Sequence, residues 1–132
     1  MTGGGARERA IDEFLAHYAA GRYFDAHEAL EGAWHRSDDE PMRAMQGLIQ
    51  WAVALEHHRR GNARGARALL ERALGNLETA PTGSLGLDLS ACRAAAPNLR
   101  TGFAAWEGGG DRPDIAAPPI SRAGGGEGRV VG

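Results

Sequence analysis

One segment, about residues 41–60, carries apolar side chains all the way round the helix that it predicts. Pro41 is acceptable at the first helical position, and Arg59, Arg60 and Gly61 suit the negative end of a helix and its termination. A helix that is apolar on every side has no face for water, so it must be buried. We therefore expect a central, buried helix here, and its apolar residues are Ala44, Met45, Leu48, Ile49, Trp51, Ala52, Val53, Ala54 and Leu55.

Helical spacing of apolar residues recurs along most of the remaining chain. It predicts helices over about 7–20, 23–36 and 62–78, and a seam in steps of four and three from Leu85 to Trp106, which Pro97 should kink or restart. No alternation of period two indicates a strand. The sequence therefore predicts an all-α, single-domain bundle of five or six helices around the helix at 41–60.

The two ends of the chain differ from its middle in composition. Residues 1–5 are glycine-rich and we expect them to be disordered, followed by a helical bundle domain over 6–107. Residues 108–132 form a Gly/Pro-rich C-terminal tail, of which 115–120 could lie extended over the bundle. Residues 121–132 lack apolar periodicity, so we expect them to be disordered and dispensable.

Charge and cysteine content exclude several classes of protein. The formal net charge of −2 is no footprint for nucleic acid. No apolar run approaches the length that spans a bilayer, and the start lacks the apolar core of a signal peptide, so we expect a cytoplasmic protein without a membrane partner. Cys92, the single cysteine, excludes an intrachain disulfide and a paired-cysteine zinc site.

A histidine and a carboxylate interrupt the aromatic face of the helix predicted at 23–36. His27 and Glu31 lie about 40° apart on that face, which also carries Tyr23 and Trp34. A polar pair that faces inward needs a partner, because an unpaired buried charge costs several kcal/mol. The central helix offers such a partner in a narrow polar row made of Gln46, Gln50 and His57. We therefore expect the two polar rows to face each other across a pocket.

The residue types in this pocket suit a divalent metal ion. His27, Glu31 and His57 could bind zinc, manganese or iron, and Gln46 or Gln50 could orient a ligand or a water. Glu28 and Gln50 are the candidates for catalytic groups near a bound water. The alternative is a hydrogen-bonded cluster that only orders the core.

The same residues carry a resemblance to a known family. The matching segments are Gly21-x-Tyr23-Phe24-x-Ala26-His27-Glu28-x-Leu30-Glu31-x-x-Trp34, then Gln46-Gly47-Leu48-Ile49-Gln50, then Ala54-Leu55-x-His57, then Gly61-Asn62. Over about residues 8–78 the chain resembles DUF309, a prokaryotic family of small helical proteins of unknown function. The family hallmark is H-x-x-x-E-x-x-[WY], and it has been suggested to bind metal. Members usually carry an aromatic before the histidine matched by His57, where this chain has Glu56.

Two classes of function follow from the resemblance and the residues together. The first is a metal-dependent enzyme, hydrolytic in type, with the pocket as its site. The second is a non-catalytic module that binds a small molecule or another protein, a homodimer being one form. Bound metal in stoichiometric amounts would favour the first class.

Overall fold

The structure, a computed structural model, describes residues 2–36, 39–81 and 83–123. Its helices are α1 (Thr2–Ala19), α2 (Tyr23–Glu31), α3 (Glu40–Arg60), α4 (Ala63–Glu78) and α5 (Ser90–Glu107). A 3-10 turn at Ser84–Gly86 leads into strand β1 (Leu87–Asp88), which pairs antiparallel with β2 (Ser121–Arg122). The predicted all-α bundle is confirmed. None of the helices in the described ranges is both long and apolar enough to cross a membrane.

Helix α3 is the centre of the bundle, as predicted. It packs against both α2 and α4, and Leu48 and Trp51 on it are almost completely buried. The Asp39 carboxylate caps its start by accepting from the Met42 amide. Gly61 ends it in the left-handed conformation (φ +84°), which glycine adopts without strain.

A close approach between α3 and α4 organises one side of this core. Asn62 caps α4 by accepting from the Gly65 amide, so the two helices form a tight antiparallel hairpin. A Cβ at Gly47 would lie 2.8 Å from Cγ of Leu77, so only glycine permits this spacing without a shift. Helix α5 continues through Pro97 and does not restart there as a new helix. The kink that the sequence also allowed at Pro97 stays a prediction.

Helix α2 is shorter than predicted. It ends at Glu31 rather than near Arg36. The Gly32 amide donates to the Glu28 carbonyl, and the Ala33 amide then donates to the Leu30 carbonyl, which closes the last turn. Trp34 therefore does not lie on the helix, and its indole Nε1 donates to the Met42 carbonyl at 3.1 Å. This residue ties the α2–α3 connection to α3 and does not extend the face of α2.

The ends of the chain are more ordered than the sequence predicted. Helix α1 begins at Thr2, inside the segment expected to be disordered. Residues 110–120, named the strap here, lie over the bundle, as the sequence suggested for 115–120. Arg122 then forms ion pairs with Glu8 and Asp12 of α1. The expectation that the chain lacks structure from 121 onward is thus wrong for 121–123, and residues 124–132 lie outside the described residues.

Candidate functional site: a histidine–glutamate pair on α2

The protonation pattern of His27 is fixed by its own helix. Its Nδ1 lies 2.5 Å from the Phe24 carbonyl oxygen. A carbonyl can only accept a hydrogen bond, so Nδ1 carries the proton and donates. In the neutral ring, Nε2 is then left with a lone pair. That nitrogen faces the carboxylate of Glu31, with 3.6 Å between Nε2 and Oε1.

This arrangement leaves an electrostatic requirement between the two side chains. A lone pair facing a carboxylate oxygen is repulsive unless something positive lies between them. A second proton on the imidazole would satisfy it, and so would a metal cation. The His27 side chain is 12% exposed and that of Glu31 is 58% exposed, so the pair opens to water through the carboxylate. As a simple ion pair it would contribute at most about 1 kcal/mol to stability.

An aromatic ring forms one wall of the site. The Phe24 ring meets the His27 ring edge-on, with 4.7 Å between centroids, and is itself 46% exposed. Arg60 of α3 places its guanidinium 5.8 Å from the Phe24 centroid, which suits a cation–π contact. A cleft of about 330 Å³ opens beside this ring, lined by Gly21, Arg22, Tyr23, Phe24, Asp25, Glu56, Arg59 and Arg60.

Glu56 is the buried charge behind this wall. It is 5% exposed and accepts from Arg59 at 2.6 and 3.0 Å and from Arg60 at 2.6 Å. The hydrogen bonds from Arg59 above all, and then those from Arg60, hold the pKa of the Glu56 carboxyl below its usual range. Members of the family that the chain resembles usually carry an aromatic at this position. Here a carboxylate with two arginines takes its place.

The polar row of α3 faces α4 and not α2. Gln50 accepts from the Asn76 amide at 2.7 Å, and Nδ1 of His57 lies 3.1 Å from the amide nitrogen of Asn62. His57 also fills the space left by Gly65, where a Cβ would come within 2.8 Å of the ring. Gln46 is half-buried on the same helix.

The three ligands predicted for a metal ion are consequently not gathered into one group. Within residues 2–36, 39–81 and 83–123, no three His, Cys, Asp or Glu side chains could hold an ion together. His57 is absent from the group because its row packs on α4. Of the predicted site residues, the structure brings together His27 and Glu31; Tyr23 lies half-buried near them on α2, and Glu28 is exposed on the same helix.

The sequence did not reveal a second polar network, centred on Tyr18. The Trp51 indole donates to the Tyr18 hydroxyl at 3.0 Å, and that hydroxyl donates to the Pro118 carbonyl at 2.6 Å. Burial raises the pKa of Tyr18, so the hydroxyl keeps its proton. The available signal was weak: buried Tyr and Trp need a partner for their polar atom, but the sequence does not say which.

Fold and site together define a small helical bundle that presents a His–Glu pair on its short second helix. Comparison with known families places the chain more closely. Residues 11–69 match the model of the family described as "Domain of unknown function (DUF309)". The resemblance expected from the motif is thus confirmed.

Two curated relatives share this similarity. "Uncharacterized protein YpuF" of Bacillus subtilis (strain 168) is 40% identical over 83 residues, which are 59% of this chain and 47% of that protein. An "Uncharacterized protein" of Aquifex aeolicus (strain VF5) is 32% identical over 82 residues, 60% of this chain and 25% of its own length. The chain therefore spans less than half the length of these two relatives.

Proposed function

We propose that this protein is a metal-binding helical module in which His27 and Glu31 supply two ligands from one helix. The ion would be a first-row divalent cation such as zinc, manganese or iron, which accept imidazole and carboxylate together. Water or a ligand from a partner molecule would fill the remaining positions. The observation that carries the proposal is the bond from His27 Nδ1 to the Phe24 carbonyl.

That bond supports metal binding because it prepares Nε2 as a ligand. A metal-ligating histidine almost always donates its other ring N–H to a carbonyl, a carboxylate or water, which fixes both tautomer and ring orientation. The spacing of the pair also fits. Two ligand atoms bound to one tetrahedral zinc at about 2.0–2.2 Å lie roughly 3.4 Å apart. The Nε2–Oε1 distance is 3.6 Å.

The arrangement of ligands favours a binding role over the hypothesis of a metal-dependent hydrolase. Catalytic zinc sites use three protein ligands and an activated water, whereas this pair supplies two. Gln50 does not enter the proposal because its amide oxygen is bonded to Asn76. His57 does not enter because it packs against the start of α4. An ion held by two ligands keeps open positions, which suits a bridge to an anionic group of another molecule.

Metal-induced stabilisation tests the proposal with a matched control. Tag-free protein is titrated with zinc or manganese while its thermal unfolding is followed. A metal concentration ten times the dissociation constant should stabilise the wild type by about 1.4 kcal/mol. The gain should vanish in Glu31→Gln and persist in Glu28→Gln, which removes the same charge from an exposed neighbour on the same helix. Equal gains in both variants, or none in the wild type, would refute it.

A second candidate function, an interaction surface without metal, is favoured by Phe24. Among the described residues this ring is the one large apolar side chain that is exposed, and burying it at an interface would remove apolar surface from water. A homodimer through α2 would bury it. Light scattering decides: a wild-type dimer that Phe24→Asp converts to monomer supports this candidate, and a wild-type monomer at high concentration excludes it.

A further inference from the structure

The strap is held by hydrogen bonds to two of its backbone carbonyls and by one arginine side chain. Tyr18 donates to the carbonyl of Pro118 and His58 Nε2 donates to the carbonyl of Pro113, both at 2.6 Å. Arg112 of the strap reaches back to the carbonyls of His58 and Arg59 at the end of α3. Two of these contacts use main-chain carbonyls of the strap, which any extended peptide could offer, and the third uses the side chain of Arg112.

The two donors are held rigid by the bundle itself. The Tyr18 hydroxyl receives a bond from Trp51, which is 1% exposed. The ring of His58 stacks on Phe103, with 5.7 Å between centroids, and meets Trp106 edge-on at 5.6 Å. Groups fixed in this way bind an extended peptide at low entropic cost, because they are already in position.

The surface of the bundle that the strap covers, named the groove here, includes Tyr18, Tyr23, Leu55, His58 and Arg59, and the strap does not fill it completely. A cleft of about 240 Å³ remains between it and the bundle, with lining residues Tyr23, Leu55, His58 and Arg59 from the bundle and Arg112, Ile115 and Ala117 from the strap. Ala117 contributes only a methyl group to this space. A longer apolar side chain at the same position of a bound peptide would bury more surface, at about 0.8 kcal/mol for each added CH₂.

The groove and its occupant belong to different parts of the chain. The groove residues Tyr18, Trp51 and His58 lie within the DUF309 span of 11–69, whereas the strap lies beyond it. Gly108 and Gly109 precede the strap, and Gly109 adopts φ +110°, a conformation that side-chain-bearing residues rarely take. A change of backbone conformation at Gly109 would let the strap leave the groove, at the loss of the bonds from Gly109 and Gly110 to the last turn of α5 and of the pairing at 121–122.

We propose that this groove is a binding site for an extended, proline-containing peptide of a partner protein, and that the strap is its internal competitor. The peptide carries a large apolar side chain where the strap has Ala117. A second copy of this chain is a poorer occupant, because its strap would leave the same space empty. An exchanged strap also competes with one that is tethered at an effective concentration near millimolar.

The test uses the full chain with a weakened strap. Ile115→Ser with Ile120→Ser removes two strap side chains that pack on the core and leaves the groove unchanged. The probe is a fluorescein-labelled synthetic peptide with the sequence of residues 110–123, followed by fluorescence anisotropy. We expect it to bind the weakened chain about tenfold or more tightly than the wild type, because the competitor is lost. A peptide carrying Ala117→Leu should bind more tightly still.

Two further measurements keep the result decisive. Tyr18→Phe in the weakened chain should loosen peptide binding several-fold, since it removes the donor to the Pro118 carbonyl. If circular dichroism shows that the double variant is unfolded, Ile120→Ser alone replaces it. The proposal is overturned if the peptide does not bind the weakened chain saturably, if it binds wild type and weakened chain equally, or if light scattering finds a strap-exchanged dimer.

Discussion

We expect the substitution of glycine by alanine to have opposite effects on stability at two positions inside helices. Gly47 of α3 and Gly75 of α4 both lie within helices, where glycine is about 1 kcal/mol less favourable than alanine. A Cβ at Gly47 would lie 2.8 and 2.9 Å from Cγ and Cδ2 of Leu77 and 3.1 Å from Cβ of Asn76. A Cβ at Gly75 would meet no atom within 4 Å.

The magnitudes follow from these contacts. Gly75→Ala should stabilise the protein by about 0.5–1 kcal/mol, because it gains helix propensity without a clash. Gly47→Ala gains the same propensity but overpacks the α3–α4 contact, which costs about 1–3 kcal/mol. Leu77 is 3% exposed, so its side chain has little room to move aside. The two variants should therefore differ in unfolding free energy by about 1–3 kcal/mol.

Urea unfolding followed by circular dichroism measures this difference directly. Both variants should keep the wild-type slope with denaturant, so that the midpoint alone reports stability. If Gly47→Ala were as stabilising as Gly75→Ala, the two helices could not approach as closely as the structure has them, and our description of the core would be wrong.

Three further predictions concern buried polar groups. Tyr18→Phe leaves the Trp51 indole without its acceptor and should lower the free energy of unfolding in urea by about 1–3 kcal/mol, whereas Tyr23→Phe should have little effect in the same experiment. Because the pKa of Glu56 is lowered in the folded protein, its ionised carboxylate stabilises the fold above the pKa of the unfolded state, and this contribution is lost as pH falls through the pKa of the folded state. The stability of Glu56→Gln should therefore depend less on pH below about 4.5 than that of the wild type. Burial raises the pKa of Cys92 to about 12, so iodoacetamide at pH 8 should label it slowly in the folded protein and rapidly in urea.

The central helix was predictable because its signal is local. Apolar side chains on every side of residues 41–60 leave burial as the only solution, whatever the neighbours are. The pairing of its polar row was not predictable. Gln50 and His57 can be placed on one stripe from the sequence, but whether α2 or α4 covers that stripe depends on packing, and Gly47 and Gly65 let α4 approach on that side.

The end of α2 and the hydrogen bonds that hold the strap escaped the sequence for a different reason. Trp34 fits the helical period of α2, yet its bond to the Met42 carbonyl draws it toward the start of α3. The strap is recognised through the carbonyls of Pro113 and Pro118, and a backbone carbonyl leaves no trace in the sequence. Local periodicity therefore predicted the elements, and long-range hydrogen bonds to main-chain atoms decided where they end and dock.

The proposal that His27 and Glu31 bind a metal ion is tested most directly by the NMR signals of the His27 imidazole nitrogens. Long-range ¹H–¹⁵N spectra of the full chain distinguish protonated, lone-pair and metal-bound nitrogens during a zinc titration near neutral pH. The account predicts a protonated Nδ1 on His27 throughout and a saturable shift of its Nε2, while His57 and His58 remain unchanged, and it predicts loss of that shift in Glu31→Gln. A His27 Nε2 that stays unchanged with excess zinc, or that shifts together with His57, would contradict it.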